Sequence, residues 1–169
     1  MLAMQEHFLE FQVPENAFYP TGKGIAPGEM IFIDSRTPGG IVSTGVMVLY
    51  MDDRSFTFIT PQGHPEAGWI TFSVDEREDS VYVQIQGLVR ASDPFFEVAF
   101  KLAGSKFQEA IWKHVLSSLA KYFDVEDSVQ MKKYSPANDL QWSKAGNIWY
   151  NSQIRSLPLN ISIFFKRSR

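Results

Sequence analysis

From Glu29 to Val89 short apolar runs alternate with turn formers, the pattern of successive β-strands. EMIFID (Glu29–Asp34), GVMVLYM (Gly45–Met51), SFTFIT (Ser55–Thr60), WITFSVD (Trp69–Asp75) and SVYVQIQGLV (Ser80–Val89) are each of strand length and rich in branched and aromatic residues. Pro38-Gly39-Gly40, Asp52-Asp53, the segment from Gln62 and the charged EREDS separate them, and links this short imply an antiparallel meander. Val81, Val83, Ile85 and Val89 share one face of the last strand and Tyr82, Gln84 and Gln86 the other, which predicts a core side and a wet side. GVMVLYM is apolar on both faces and should be a central strand or line a cavity.

After Val89 the period becomes helical. Asp93-Pro94 is a helix start, because aspartate can cap the first amides and proline needs no donor in the first turn. Gly104 predicts a kink and Ser105-Lys106-Phe107-Gln108 a restart through a capping box, so the helical region runs from about Pro94 to Phe123. Ile111, Trp112, Val115, Leu116, Leu119 and Phe123 form its apolar stripe. No helical pattern is legible in His7–Gly28; beyond Asp127 AGNIWYNSQI is aperiodic, and LNISIFF (Leu159–Phe165) reads as a short last strand. The expected architecture is α+β: one domain over 1–169, with a curved antiparallel sheet gripped on its concave face by a long helix of the C-terminal half.

Composition narrows the function classes. A chain of 169 residues that is 44% apolar and 14% aromatic can bury a core, and its lack of cysteine removes disulfides, thiolate metal sites and cysteine nucleophiles. That usage fits a reducing compartment, so the expected location is the cytoplasm. No apolar run reaches the roughly 20 residues that cross a bilayer, and MLAMQEHFLEF does not read as a signal peptide. The glycosylation pattern Asn160-Ile161-Ser162 therefore carries no weight.

Charge is unevenly distributed. From Lys132 onward seven basic residues face the single acid Asp139, a net +6, whereas the first 131 residues carry nine basic and eighteen acidic residues, a net −9. Opposite signs favour a basic extension, 128–169, packed on its own body. Lys132, Lys133, Lys144 and Arg155 interleave with Tyr134, Trp142, Trp149 and Tyr150, a mixture able to bind single-stranded nucleic acid, but the acidic body opposes a polyanion.

Few residues suggest chemistry. His64 and Glu66 could form a general acid/base pair, since Pro65 biases His64 toward the extended backbone in which positions i and i+2 share a side. The competing reading makes them turn residues that satisfy backbone groups, with Gly68 permitting a bulge. His114 has serine and alanine at the helical positions where a second ligand would stand, and His7 is isolated, so no metal site is expected. No nucleophile elbow, phosphate loop or dinucleotide fingerprint is present, and no cofactor is expected. Phe56, Phe58, Trp69, Phe72, Phe95, Phe96, Phe100 and Trp112 should converge between sheet and helix, filling the core or lining an apolar cavity.

Taken in order, Val42 to Tyr50, Phe56 and Phe58, Gly63-His64-Pro65-Glu66-Ala67-Gly68, Leu88-Val89-Arg90, Asp93-Pro94, Phe107-Gln108 and Tyr122 resemble an uncharacterised domain family of bacteria and plants. Its hallmark is Gly-His-Pro-Glu-x-Gly-Glu, and Trp69 stands here in place of the second glutamate. The resemblance covers 29–123 and implies a relation to the START-like helix-grip (SRPBCC) superfamily, whose members hold lipids or other apolar molecules between sheet and helix. The expected function is thus binding of a small apolar or amphipathic ligand, with Phe56, Phe58, Trp69, Phe72, Phe96 and Trp112 at the ligand. The alternatives are a cyclase- or hydrolase-type enzyme using His64 and Glu66, and an interaction module acting through its basic tail.

Overall fold

The computed structural model describes residues 1–37, 40–126, 129–134 and 139–158. Six strands form one antiparallel sheet: β1 (Asn16–Pro20), β2 (Met30–Thr37), β3 (Gly40–Met51), β4 (Ser55–Ile59), β5 (Glu66–Arg77) and β6 (Ser80–Ala91). Each pairs with its sequence neighbour, in the order β1-β2-β3-β4-β5-β6. The expected meander is present, with β1 an addition, since only Ala17, Phe18 and Tyr19 stand between polar residues and Pro20 there. The turn after β3 is held by Asp52, whose Oδ1 accepts from the amides of Arg54 (2.8 Å) and Ser55 (2.7 Å).

Strand alternation sorts the residues cleanly. Ile31, Ile33, Val46, Val48, Phe56, Phe58, Ile70 and Phe72 are buried on one face. β3 lies between β2 and β4, as its two apolar faces suggest, and bulges between Val48 and Tyr50. In β6 the alternation is as expected, but only Ile85 and Val89 pack on the core; Val81 and Val83 are exposed. The cause is length: β5 and β6 each have twelve residues, β4 only five, and β5 runs on past its last β4 pair, Ser55 with Ser73.

The core face is covered from two directions. Asp93 caps the helix that follows β6 as expected, its Oδ1 accepting from the Phe96 amide at 2.9 Å; the helical run then comprises Pro94–Ala99, a π-helical turn at Phe100–Gly104, and Ser105–Tyr122. The π-turn takes up the irregularity expected at Gly104 without ending the helix. Val115 and Leu119 are buried in the core and Trp112 packs against it, whereas Phe123, assigned to the stripe, is exposed. The second cover is the N-terminal segment, an α-helix at Leu2–Glu6 and a 3-10 turn at Phe8–Phe11, which bury Met4, Phe8 and Phe11. It is too short to show a periodic stripe, which is why no helix was legible ahead of the sheet.

Beyond the helices, Trp142–Tyr150 forms 3-10 turns and residues 152–158 are helical. The segment LNISIFF, read as a strand, lies outside the described residues.

Candidate functional site

The Gly-His-Pro-Glu segment connects β4 to β5. Gly63 sits at φ 92° and Gly68 at φ 150°, backbone conformations that side chains rarely adopt. The Thr60 amide donates to the Gly68 carbonyl at 3.1 Å, and the Gly68 amide donates to Thr60 Oγ1 at 3.0 Å. A Cβ at Gly68 would run into the Leu88 carbonyl oxygen, so this glycine permits the close approach of β6.

His64 answers a backbone need. β4 ends at Ile59, so nothing in it reaches the free edge of Glu66 at the start of β5. Nδ1 of His64 lies 2.9 Å from the Glu66 carbonyl oxygen and 3.0 Å from its amide nitrogen. A protonated Nδ1 donates to the carbonyl and an unprotonated one accepts from the amide. Burial pushes the ring down to about 4, partly opposed by the backbone hydrogen bond, so it is neutral at physiological pH.

The Glu66 carboxylate goes elsewhere. It is buried and accepts a hydrogen bond from Gln108 Nε2, which ties β5 to the Ser105–Tyr122 helix. Burial raises this carboxyl to about 7, with the Gln108 bond pulling the other way. His64 and Glu66 therefore share a segment without forming a hydrogen-bonded acid/base pair: the ring touches backbone and the carboxylate touches Gln108. Gln108, expected to close a capping box with Ser105, serves the glutamate; it was among the residues that carried the family resemblance.

The aromatic residues divide into three groups. Phe56 and Phe72 stack at 4.6 Å, and Phe8 meets Phe58, Phe72 and Phe56 edge-on at 5.4, 5.5 and 5.8 Å. Trp112 lies edge-on to Phe72 at 6.0 Å. These rings pack on one another, with Phe8 standing where a ligand between sheet and helix was expected. Phe96 is buried outside that cluster against Phe95 (5.8 Å). Trp69 is on the opposite face, an odd number of residues from Phe72, and is 46% exposed.

That opposite face carries an apolar row. Register places Met30 beside Met47, Met47 beside Ile59, Ile59 beside Trp69 and Trp69 beside Leu88. Two open depressions border it. One, of about 270 Å³, is lined by Ile59, Pro61, Ala67, Trp69, Ser92 and Asn147 among others; the larger, of about 750 Å³, by Met30, Phe32, Tyr150, Ser152, Arg155 and Ser156. Pro61, Gln62 and Gly63 line both.

Hydrogen bonds hold the C-terminal segment on this region. Asn147 Nδ2 donates to the Ser92 carbonyl at 2.8 Å, the fully buried Asn151 donates through Nδ2 to Asp93 Oδ2 at 2.8 Å, and the Ser152 amide donates to the Gly63 carbonyl at 3.0 Å. Lys133 pairs with Glu109 at 3.7 Å, but Tyr134, Trp142 and Trp149 are exposed. Sequence reasoning missed Asn147, Asn151 and Ser152 because hydrogen-bonding groups without periodicity announce no partner.

The remaining histidines stand apart. His7 Nδ1 is 2.8 Å from Glu10 and its ring meets Tyr122 at 5.3 Å; His114 is exposed. Among the described residues no three His, Asp or Glu side chains cluster to hold a metal ion, and no helix is long and apolar enough to cross a membrane.

The family model described as "Domain of unknown function (DUF1990)" matches residues 5–118, and the chain belongs to that family. The match begins well before Glu29, where the resemblance was placed, and takes in Phe8 and Phe11; the segment docked on Gly63 lies beyond it. Neither a curated protein nor a solved structure matches the chain.

Proposed function

We propose that this member of the DUF1990 family binds a small apolar or amphipathic molecule, without chemistry upon it, on the outer face of its sheet. The observation that carries the reading is the apolar row from Met30 to Trp69, which borders two depressions meeting at Pro61–Gly63. A half-exposed Trp69 beside polar groups such as Ser92 and Asn147 has the make-up of a site that takes an apolar body and orients it by hydrogen bonds. Of the six residues expected at a ligand, Trp69 is the one this placement keeps; the packing of Phe8 on Phe56, Phe58 and Phe72 favours the outer face over the space between sheet and helix.

A distant relation to the START-like helix-grip superfamily, a curved sheet, and the Gly-His-Pro-Glu-x-Gly segment as the family mark belong to the same reading. Support for them is the antiparallel sheet with Val115 and Leu119 of a helix packed on one face. A cytoplasmic location rests on the absence of cysteine.

Native mass spectrometry of the purified protein tests the reading. The expected spectrum contains a non-covalent small-molecule adduct that Trp69→Ala loses; an adduct retained by that variant would remove the site from this face.

One observation favours a second reading, a cyclase- or hydrolase-type enzyme: a carboxyl raised to about 7, as in Glu66, suits proton transfer near neutral pH. Glu66 lines neither depression, however, and its partner is Gln108 rather than His64.

A further inference from the structure

We infer that the ligand is an anionic amphiphile, a carboxylate on a medium-length acyl chain, whose head group sits at Arg155 and Ser152 and whose chain follows the apolar row; the inference rests on the ligand-binding reading above.

Among the described residues Arg155 is the one charged residue lining the larger depression. Arg155 is exposed; its Nε donates to the Trp149 carbonyl at 3.0 Å and its guanidinium lies over the Tyr150 ring at 5.5 Å, contacts that favour one placement of the group. Among the described residues no carboxylate pairs with it and its Nη groups have no partner, so the planar fork that suits a carboxylate is oriented and unoccupied by protein.

A second, independent group points the same way. Ser152 is only 9% exposed, lines the same depression, and its hydroxyl has no hydrogen-bond partner among the described residues. A buried hydroxyl left in this state calls for an acceptor, which a carboxylate oxygen supplies. Asp34, further along β2, is engaged by the Ser43 hydroxyl at 2.7 Å and does not line the depression.

The apolar part of the ligand has a path. From Met30 through Met47 and Ile59 to Trp69 the row crosses three inter-strand steps, about 14 Å at the usual strand spacing. It leads from the larger depression to the smaller, where Trp69 and Ala67 stand. A chain lying there would cover Phe32 and Trp69, which are 58% and 46% exposed.

Isothermal titration of the full chain with dodecanoate and, separately, with 1-dodecanol tests this, because the two probes share a chain and differ in charge. Dodecanoate should bind at least roughly tenfold more tightly than the alcohol, the effect of one charge-assisted hydrogen bond. Arg155→Gln should abolish that preference by weakening dodecanoate far more than the alcohol, and Ser152→Ala should reduce it by a smaller factor; circular dichroism checks that both variants fold. Equal binding of the two probes, or a preference untouched by both substitutions, overturns the anionic ligand and leaves the ligand-binding reading standing. Binding of neither probe overturns the inference and counts against a ligand on this face.

Discussion

Nδ1 of His64 stands 2.9 Å from the carbonyl oxygen and 3.0 Å from the amide nitrogen of Glu66, taking the place of a strand partner that β4 is too short to provide. A single nitrogen serves one of these groups at a time, according to its tautomer. Removing the ring in His64→Ala leaves both unsatisfied beside the core and should cost about 1–3 kcal/mol in urea unfolding. His64→Asn, whose amide carries an acceptor and a donor, should recover most of that loss. Equal destabilisation by the two variants would contradict the backbone role.

The same two residues give opposite pH dependences. Glu66, raised to about 7 from its ordinary 4.5, holds its proton in the folded state across that interval; its contribution is present below about pH 4.5 and is lost as pH rises through 7. His64, lowered to about 4 from 6.5, contributes stability that is present above 6.5 and lost as pH falls through 4. Between pH 4.5 and 6.5 the slopes oppose each other, and above 6.5 only that of Glu66 remains. Glu66→Gln should therefore gain on the parent protein between pH 4.5 and pH 8, by up to about 3 kcal/mol. Unfolding curves at the two pH values read this directly, and a pH-independent difference between the proteins would refute it.

Gly63 couples the motif to the C-terminal segment. At φ 92° it favours glycine, and a Cβ there would collide with the Tyr150 carbonyl oxygen. Gly63→Ala should release the segment around Tyr150 and Ser152 while the sheet persists. Tryptic cleavage at Arg155 should then accelerate on the order of tenfold, as expected for 1–3 kcal/mol of local strain, with little change in far-ultraviolet circular dichroism. Unchanged cleavage would show that the loop accommodates the methyl group.

Phe8 meets four other rings edge-on, Phe18, Phe56, Phe58 and Phe72. Truncation in Phe8→Ala should cost about 3–5 kcal/mol, measurable as a drop in the denaturation midpoint with an unchanged slope. A cost below 1 kcal/mol would mean that neighbouring side chains collapse into the space.

What could be read in advance follows from what leaves a local trace. Strand alternation and the Asp93-Pro94 cap are local, and they identified five strands, the sheet's pairing and the helix start. Phe8 and Phe11 gave no such trace, because two rings on a single turn make no period. Trp69 was placed on the wrong face by grouping it with Phe72 as an aromatic residue, although counting along β5 separates them. At the site, the nearness of His64 to Glu66 was legible, but the destinations of ring and carboxylate depend on where β4 ends and on Gln108, forty-two residues away in sequence.

The arrangement of the core imposes an order on synthesis. Neighbouring strands can zip into hairpins as they emerge, since each closes only a short loop. Phe8, made first, can fold onto Phe56, Phe58 and Phe72 early, but the core stays incomplete until Val115 and Leu119 arrive from the helix that follows β6. A nascent chain ending at Ala91 would present that half-built apolar face to solvent, a substrate for chaperones until the Ser105–Tyr122 helix has left the ribosome.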